Sequence, residues 1–212
     1  MTNSMYKVAL AIGLSTAFFS CSKEDNPVVV QPLSAVTVRD IAADPTSMTS
    51  ATGQQPVAAT GKFTLYSLKD NKQIANADSA TNKWDLGFRG TTIIVNGGAI
   101  RSGQGGAYIY TGTFDELTSV PASVTFSQDQ SATTLAITTG SGKGWYNYNQ
   151  TTNIISPIPG KVFIIRTGDG KYAKMEVLSY YQNAPAAPDA NSVARYYTFR
   201  YLYQPDGSQV FK

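Results

Sequence analysis

Catalytic chemistry has little to work with in this chain. It carries no histidine, and its one cysteine, Cys21, stands near the N-terminus. Ser-His-Asp and Cys-His machinery needs an imidazole, so that chemistry is excluded. Ordinary zinc sites, built from His and Cys, go with it. Carboxylates are available, among them Asp85, Asp115, Glu116, Asp129, Asp169 and Glu176. Two of them facing across a groove would suffice for glycoside hydrolysis. Each reads more simply as a turn residue or the solvated face of a strand, the adjacent pair Asp115-Glu116 included. Gly103-Gln104-Gly105-Gly106 has no following helix to hold a phosphate, and Lys143 precedes Gly rather than Ser or Thr, so neither is a nucleotide loop. The residue types point to a protein that is not an enzyme.

Binding chemistry is better supplied. Trp145, Tyr146 and Tyr148 alternate about Asn147, which gives a short strand one core face and one face free to line a cleft. Clustered Tyr and Trp beside a proline-bearing loop suit a flat hydrophobic ligand or a sugar. Met175, between Lys174 and Glu176, reads as pointing inward, and Met48 lies in a polar stretch. These two are the only methionines beyond residue 20.

The elements that must position these groups are strands. Trp84, Leu86 and Phe88 share one face of an extended segment, followed by Ile93-Ile94-Val95 and the turn Asn96-Gly97-Gly98. Strands are also expected at residues 62–68, 108–110, 124–126, 133–138, 145–148 and 161–166. In residues 172–181, Ala173, Met175 and Val177 form one face and Lys174 and Glu176 a wet one. Tyr197, Phe199, Tyr201 and Tyr203 line the last strand. Val36 and Val38 begin an edge strand, and residues 43–59, 76–83, 150–159 and 182–192 read as loops. No sustained period of 3.6 appears, so the expected fold is all-β, a sandwich or distorted barrel of mostly antiparallel strands in a single domain.

The start reads as a targeting segment. Lys7 precedes an apolar run, residues 8–19, too short to span a bilayer and suited to a signal peptide. Cys21 follows directly and reads as a lipid acceptor. The expected organisation is a lipoprotein signal peptide at 1–20, a lipidated tether at 21–32 and one β domain at 33–212. The charged stretch after Cys21 resembles the signals that send bacterial lipoproteins to the outside of the outer membrane, which implies surface display. The formal charge of +3 is scattered, which argues against a nucleic-acid partner.

Taken in order, WDLGFRGTTIIVNGG (84–98), GQGGAYIYTG (103–112), GKGWYNYNQ (142–150) and KVFIIRTGDGKYAKMEVLSYY (161–181) resemble the HmuY family, haem-binding lipoproteins of Bacteroidetes. The resemblance implies a surface lipoprotein of HmuY-like fold that takes haem from host carriers and passes it to a TonB-dependent outer-membrane receptor. It also implies a haem cleft in the second half of the domain, with two axial His or Met ligands. One ligand position falls near Gln150, with Asn149 and Tyr148 as neighbouring alternatives. The other falls in 127–134, where Gln128, Asp129 and Gln130 stand and neither His nor Met does. Tyrosinate ligates haem elsewhere, which leaves Tyr146 and Tyr148, and more weakly Met175 and Met48, as axial candidates. Gln128, Gln130 and Gln150 are candidates for lining the cleft. The alternative expectation is a module of the same fold that has lost haem and binds another flat ligand, a glycan or a protein.

Overall fold

The computed structural model describes Met1, residues 33–45 and residues 59–212. The rest of the expected signal segment, Cys21, the tether and Met48 lie outside the described residues. Among the described residues there are eleven strands and no α-helix. A five-stranded sheet has the order β1 (Val36–Ala42), β11 (Ala194–Gln204), β10 (Tyr172–Tyr181), β9 (Lys161–Arg166), β6 (Gly106–Thr111). A four-stranded sheet has the order β3 (Lys72–Ile74), β2 (Thr64–Ser67), β4 (Leu86–Arg89), β5 (Thr92–Val95). A separate ribbon pairs β7 (Tyr146–Asn149) with β8 (Ile154–Pro157). Every pairing is antiparallel.

The two larger sheets pack face to face, as the alternating sequence requires. Phe163, Ile165, Ala173, Met175 and Phe199 project from the first sheet, and Tyr66, Leu86, Phe88, Ile93 and Val95 from the second, into one cluster. Phe88 stacks on Phe199 with centroids 5.4 Å apart and tilts against Tyr197 at 4.9 Å. Each such side chain contributes about 1.5–3 kcal/mol on burial. The uninterrupted run Val162-Phe163-Ile164-Ile165 reflects a strand covered on both faces. Val162 and Ile164 point the other way, into an outer layer with Phe114, Leu117, Val120, Leu202 and Phe211.

That outer layer overturns one expectation. The face carrying Lys174 is not wet: Lys174 is buried. Its Nζ donates to the carbonyls of Phe114 at 2.6 Å and Leu117 at 2.9 Å, over the Phe114 ring. The connector after β6 folds back over the sheet, and burial pulls the Lys174 amine below its ordinary value. Glu176 stays nearer the surface and pairs with Arg200.

Three further expectations are corrected. Trp84 does not share the Leu86 and Phe88 face; it precedes β4 and joins Leu65 and Ile94 on the sheet's other side. Gly87 faces that cluster, and a Cβ there would sit 2.7 Å from Ile94 Cγ1. Residues 150–159 are not all loop, because Ile154–Pro157 returns along β7 as a strand. Residues 124–126 and 133–138 are not strands: the one bridge nearby is isolated and joins Ala107 to Ser127. A buried carboxylate, Asp129, takes up the backbone donors that a ladder would have used.

Candidate functional site

Asp129 is fully buried and fixes the loop 127–139 against the second sheet. Its Oδ2 accepts from the Val95 N–H at 3.3 Å and its Oδ1 from the Ala136 N–H at 3.0 Å. Its own N–H donates to Gly97 O at 3.0 Å. This approach explains the glycine pair after β5. A Cβ on Gly97 would collide with the Gly105 backbone, and one on Gly98, at φ +104°, with the Asp129 carbonyl. Burial pushes the Asp129 carboxyl above its ordinary value, although the Ala136 N–H and the nearby Arg101 charge act to lower it. Arg101 Nε stands 3.6 Å from Asp129 Oδ2 and has no hydrogen-bond partner among the described residues.

Fixed in this way, the loop forms one wall of a groove of about 410 Å³ over β4 and β5. Its apolar lining is Phe63, Ile94, Ile100 and Leu135. Ile100 is 41% exposed, unusual for so large an aliphatic side chain without a partner. Two guanidinium groups border this lining, Arg89 and Arg101. Arg89 lies over the Phe63 ring at 4.2 Å and donates to Gly61 O at 2.8 Å. An apolar bed flanked by two fixed cations suits a flat hydrophobic ligand that carries carboxylates.

The site residues expected from sequence fall in two places. Gln128 and Gln130 belong to the Asp129 loop, but Gln128 Nε2 donates to Gly105 O at 2.8 Å and Gln130 N–H to Thr134 O. They hold the loop while its later residues, Thr133 and Leu135, line the groove. Tyr146, Tyr148 and Gln150 belong to the β7–β8 ribbon. Trp145, at its base, is buried; it donates from Nε1 to Thr91 O at 2.9 Å and packs on Tyr146, Tyr180 and Tyr197. Tyr148 is 40% exposed, and its hydroxyl donates to Asn153 Oδ1. Met175 is wholly buried in the main cluster, away from the groove lining. Among the described residues there is no group of three or more His, Cys, Asp or Glu able to hold a metal.

Asp115 and Glu116 are exposed and make no catalytic pair: Asp115 faces Arg200, and Glu116 accepts from the Thr113 N–H. Asp85 is another buried carboxylate. It accepts from the Leu68 N–H at 2.7 Å and the Gly168 N–H at 2.9 Å, tying the turn after β2 to the β9–β10 turn. Burial raises it to about 6, with Asp169 and Asp70 adding to the rise.

The groove residues Arg89, Arg101, Ile100 and Leu135 were not singled out by their sequence. Arg89 had one signal, its place on the outward side of an alternating strand. Arg101 and Leu135 lie 34 positions apart and meet only because Asp129 folds the loop back.

Known proteins bear on the family and the fold. The HmuY family model, described as HmuY protein, matches residues 59–201. No curated protein matches the chain in sequence. Among solved structures, a candidate lipoprotein from Bacteroides fragilis is 19% identical, with 81% of this chain and 91% of that one covered at a TM-score of 0.50. A candidate HmuY-like heme-binding protein from Bacteroides vulgatus is 14% identical, with 81% and 91% covered at 0.48. The apo HmuY analogue of Tannerella forsythia is 17% identical, with 82% and 96% covered at 0.44. The all-β antiparallel fold read from the sequence agrees with the first of these.

Proposed function

The chain belongs to the HmuY family, and we propose that it binds haem as cargo in the groove over β4 and β5. The groove carries this reading. Phe63, Ile94, Ile100 and Leu135 would offer the porphyrin an apolar bed, and Arg89 and Arg101, which border it, would neutralise carboxylates such as its propionates. The groove lining contains no His, Met, Cys or Tyr. The residues therefore fit the body of the ligand and supply no strong axial donor to the iron. Affinity in this account comes from apolar contact and the arginines.

The same proposal sets the protein at the outer-membrane surface, lipid-anchored through Cys21, where it would exchange haem with host carriers and a TonB-dependent receptor. No helix among the described residues is long and apolar enough to cross a membrane. A haem titration of the chain from Ser22 to Lys212, followed in the Soret band, tests the reading. A saturating shift at low micromolar haem is expected, and a featureless linear response would overturn it.

The missing axial donor favours a second reading, a module that keeps the fold and binds a different flat anion. Saturation by an iron-free dicarboxylic porphyrin, with none by haem, would select it.

A further inference from the structure

A second groove, of about 680 Å³, lies between the β7–β8 ribbon and the connector that joins β10 to β11. Its chemistry differs from that of the arginine groove. On the ribbon side it is lined by Asn149, Thr151, Thr152, Asn153 and Ser156. Ile154, Pro188 and Ala190 supply a small apolar part, and Asp189 is the only charged lining residue. The register explains the sorting: Asn149 pairs with Ile154 and Asn147 with Ser156, so these alternate positions share one face of the ribbon.

The polar groups are oriented before any ligand arrives. Asn149 Oδ1 accepts from the N–H groups of Thr151 at 2.9 Å and Thr152 at 3.2 Å, which leaves its Nδ2 to point away from the turn. Asn153, at φ +57°, accepts the Tyr148 hydroxyl on its Oδ1, and its Nδ2 is likewise left over. Asp189 Oδ1 accepts from Asn191 N and Ser192 Oγ, leaving Oδ2. Among the described residues, the Thr151, Thr152 and Ser156 hydroxyls and both of these amide nitrogens have no partner. Fixed amide donors, free hydroxyls and one carboxylate oxygen match the alternating donors and acceptors of vicinal hydroxyls. The absence of any cation from the lining disfavours anionic ligands.

We infer that this groove is a binding site for a neutral saccharide. The inference does not rest on haem binding, which concerns the other groove. Tyr148 acts as a positioning residue: it locks the Asn153 amide from the far side of the ribbon.

The test uses the full chain in a sugar-free detergent, run through native gels cast with dextran, mannan or galactomannan, with polygalacturonate as the anionic control. Saturation-transfer NMR with methyl glycosides provides a second readout. At least one neutral polysaccharide should retard the protein. Ser156→Lys and Ala190→Trp, both at accessible groove positions, should abolish retardation while the urea unfolding midpoint stays native. Tyr148→Phe should weaken it severalfold. No retardation and no saturation transfer with any neutral sugar would overturn the inference. So would undiminished binding by both blocking variants, or equal retardation by polygalacturonate.

Discussion

Replacing Asp129 with alanine removes the acceptor for two buried donors and the counter-charge of Arg101 at once. Each orphaned N–H costs about 1–3 kcal/mol. Part of this is returned, because the wild-type carboxylate is itself held out of water, and burial raises its titration point. Breaking one side of a buried charge pair costs about 3–5 kcal/mol net. That is a large share of a domain stability of roughly 5–15 kcal/mol. With a urea slope near 1–3 kcal/mol per molar, the midpoint should fall by about 2 M. Urea unfolding followed by the fluorescence of the buried Trp84 and Trp145 reads this directly. Asp129→Asn retains one acceptor and should cost roughly half as much. Hydrogen exchange should accelerate at the Val95 and Ala136 amides in both variants. An alanine variant within about 1 kcal/mol of wild type, with both amides still protected, would refute the view that Asp129 holds the loop.

Three other outcomes follow, two of them from buried groups. Asp85 titrates near 6 in the folded chain against an ordinary 3.8. Its stabilising contribution is therefore fullest below about pH 4 and declines as pH rises through 6, by up to about 3 kcal/mol. Subtracting the urea stability of Asp85→Asn from that of wild type between pH 3 and 7 isolates this slope; a difference that is flat or rises with pH contradicts it. Lys174→Ala strands the Phe114 and Leu117 carbonyls and empties the space under Phe114, so a loss of about 3–5 kcal/mol is expected in the same assay. A loss below 1 kcal/mol would mean that the connector packs without it. Tyr148→Phe should leave any haem spectrum unchanged, because that hydroxyl is engaged by Asn153; a moved Soret band would restore tyrosinate ligation.

The strands were legible where burial is one-sided or complete. Tyr197, Phe199 and Tyr201 repeat at every second residue and do share the core face. The continuous run of β9 likewise announced a strand covered on both faces. The Lys174 face misled because a charged residue in an alternating strand looks solvated, and its cover arrives from a connector with no period of its own. β8 was hidden by Pro157 at its end and by the short ribbon it completes. The loop 127–139 failed for a different reason. Its order comes from one side chain bonding across the fold, at separations of 34 residues to Val95 and 7 to Ala136. No local pattern encodes such bonds. The site was legible only by region: residues 127–134 lead into the arginine groove and residues 146–150 into the ribbon, while the lining residues themselves depend on that tertiary closure.

In the proposed function haem occupies the groove between Arg89 and Arg101. A paired Soret titration of wild type and Ile100→Glu tests it most directly. Ile100 is half exposed on the groove's edge, so the substitution puts a negative charge beside the bed with little effect on folding. The account predicts one-to-one saturation by wild type, a loss of affinity of roughly tenfold or more in the variant, about 1.4 kcal/mol, and an unchanged urea midpoint. Superimposable titrations of the two proteins, or no saturation in wild type, would contradict it.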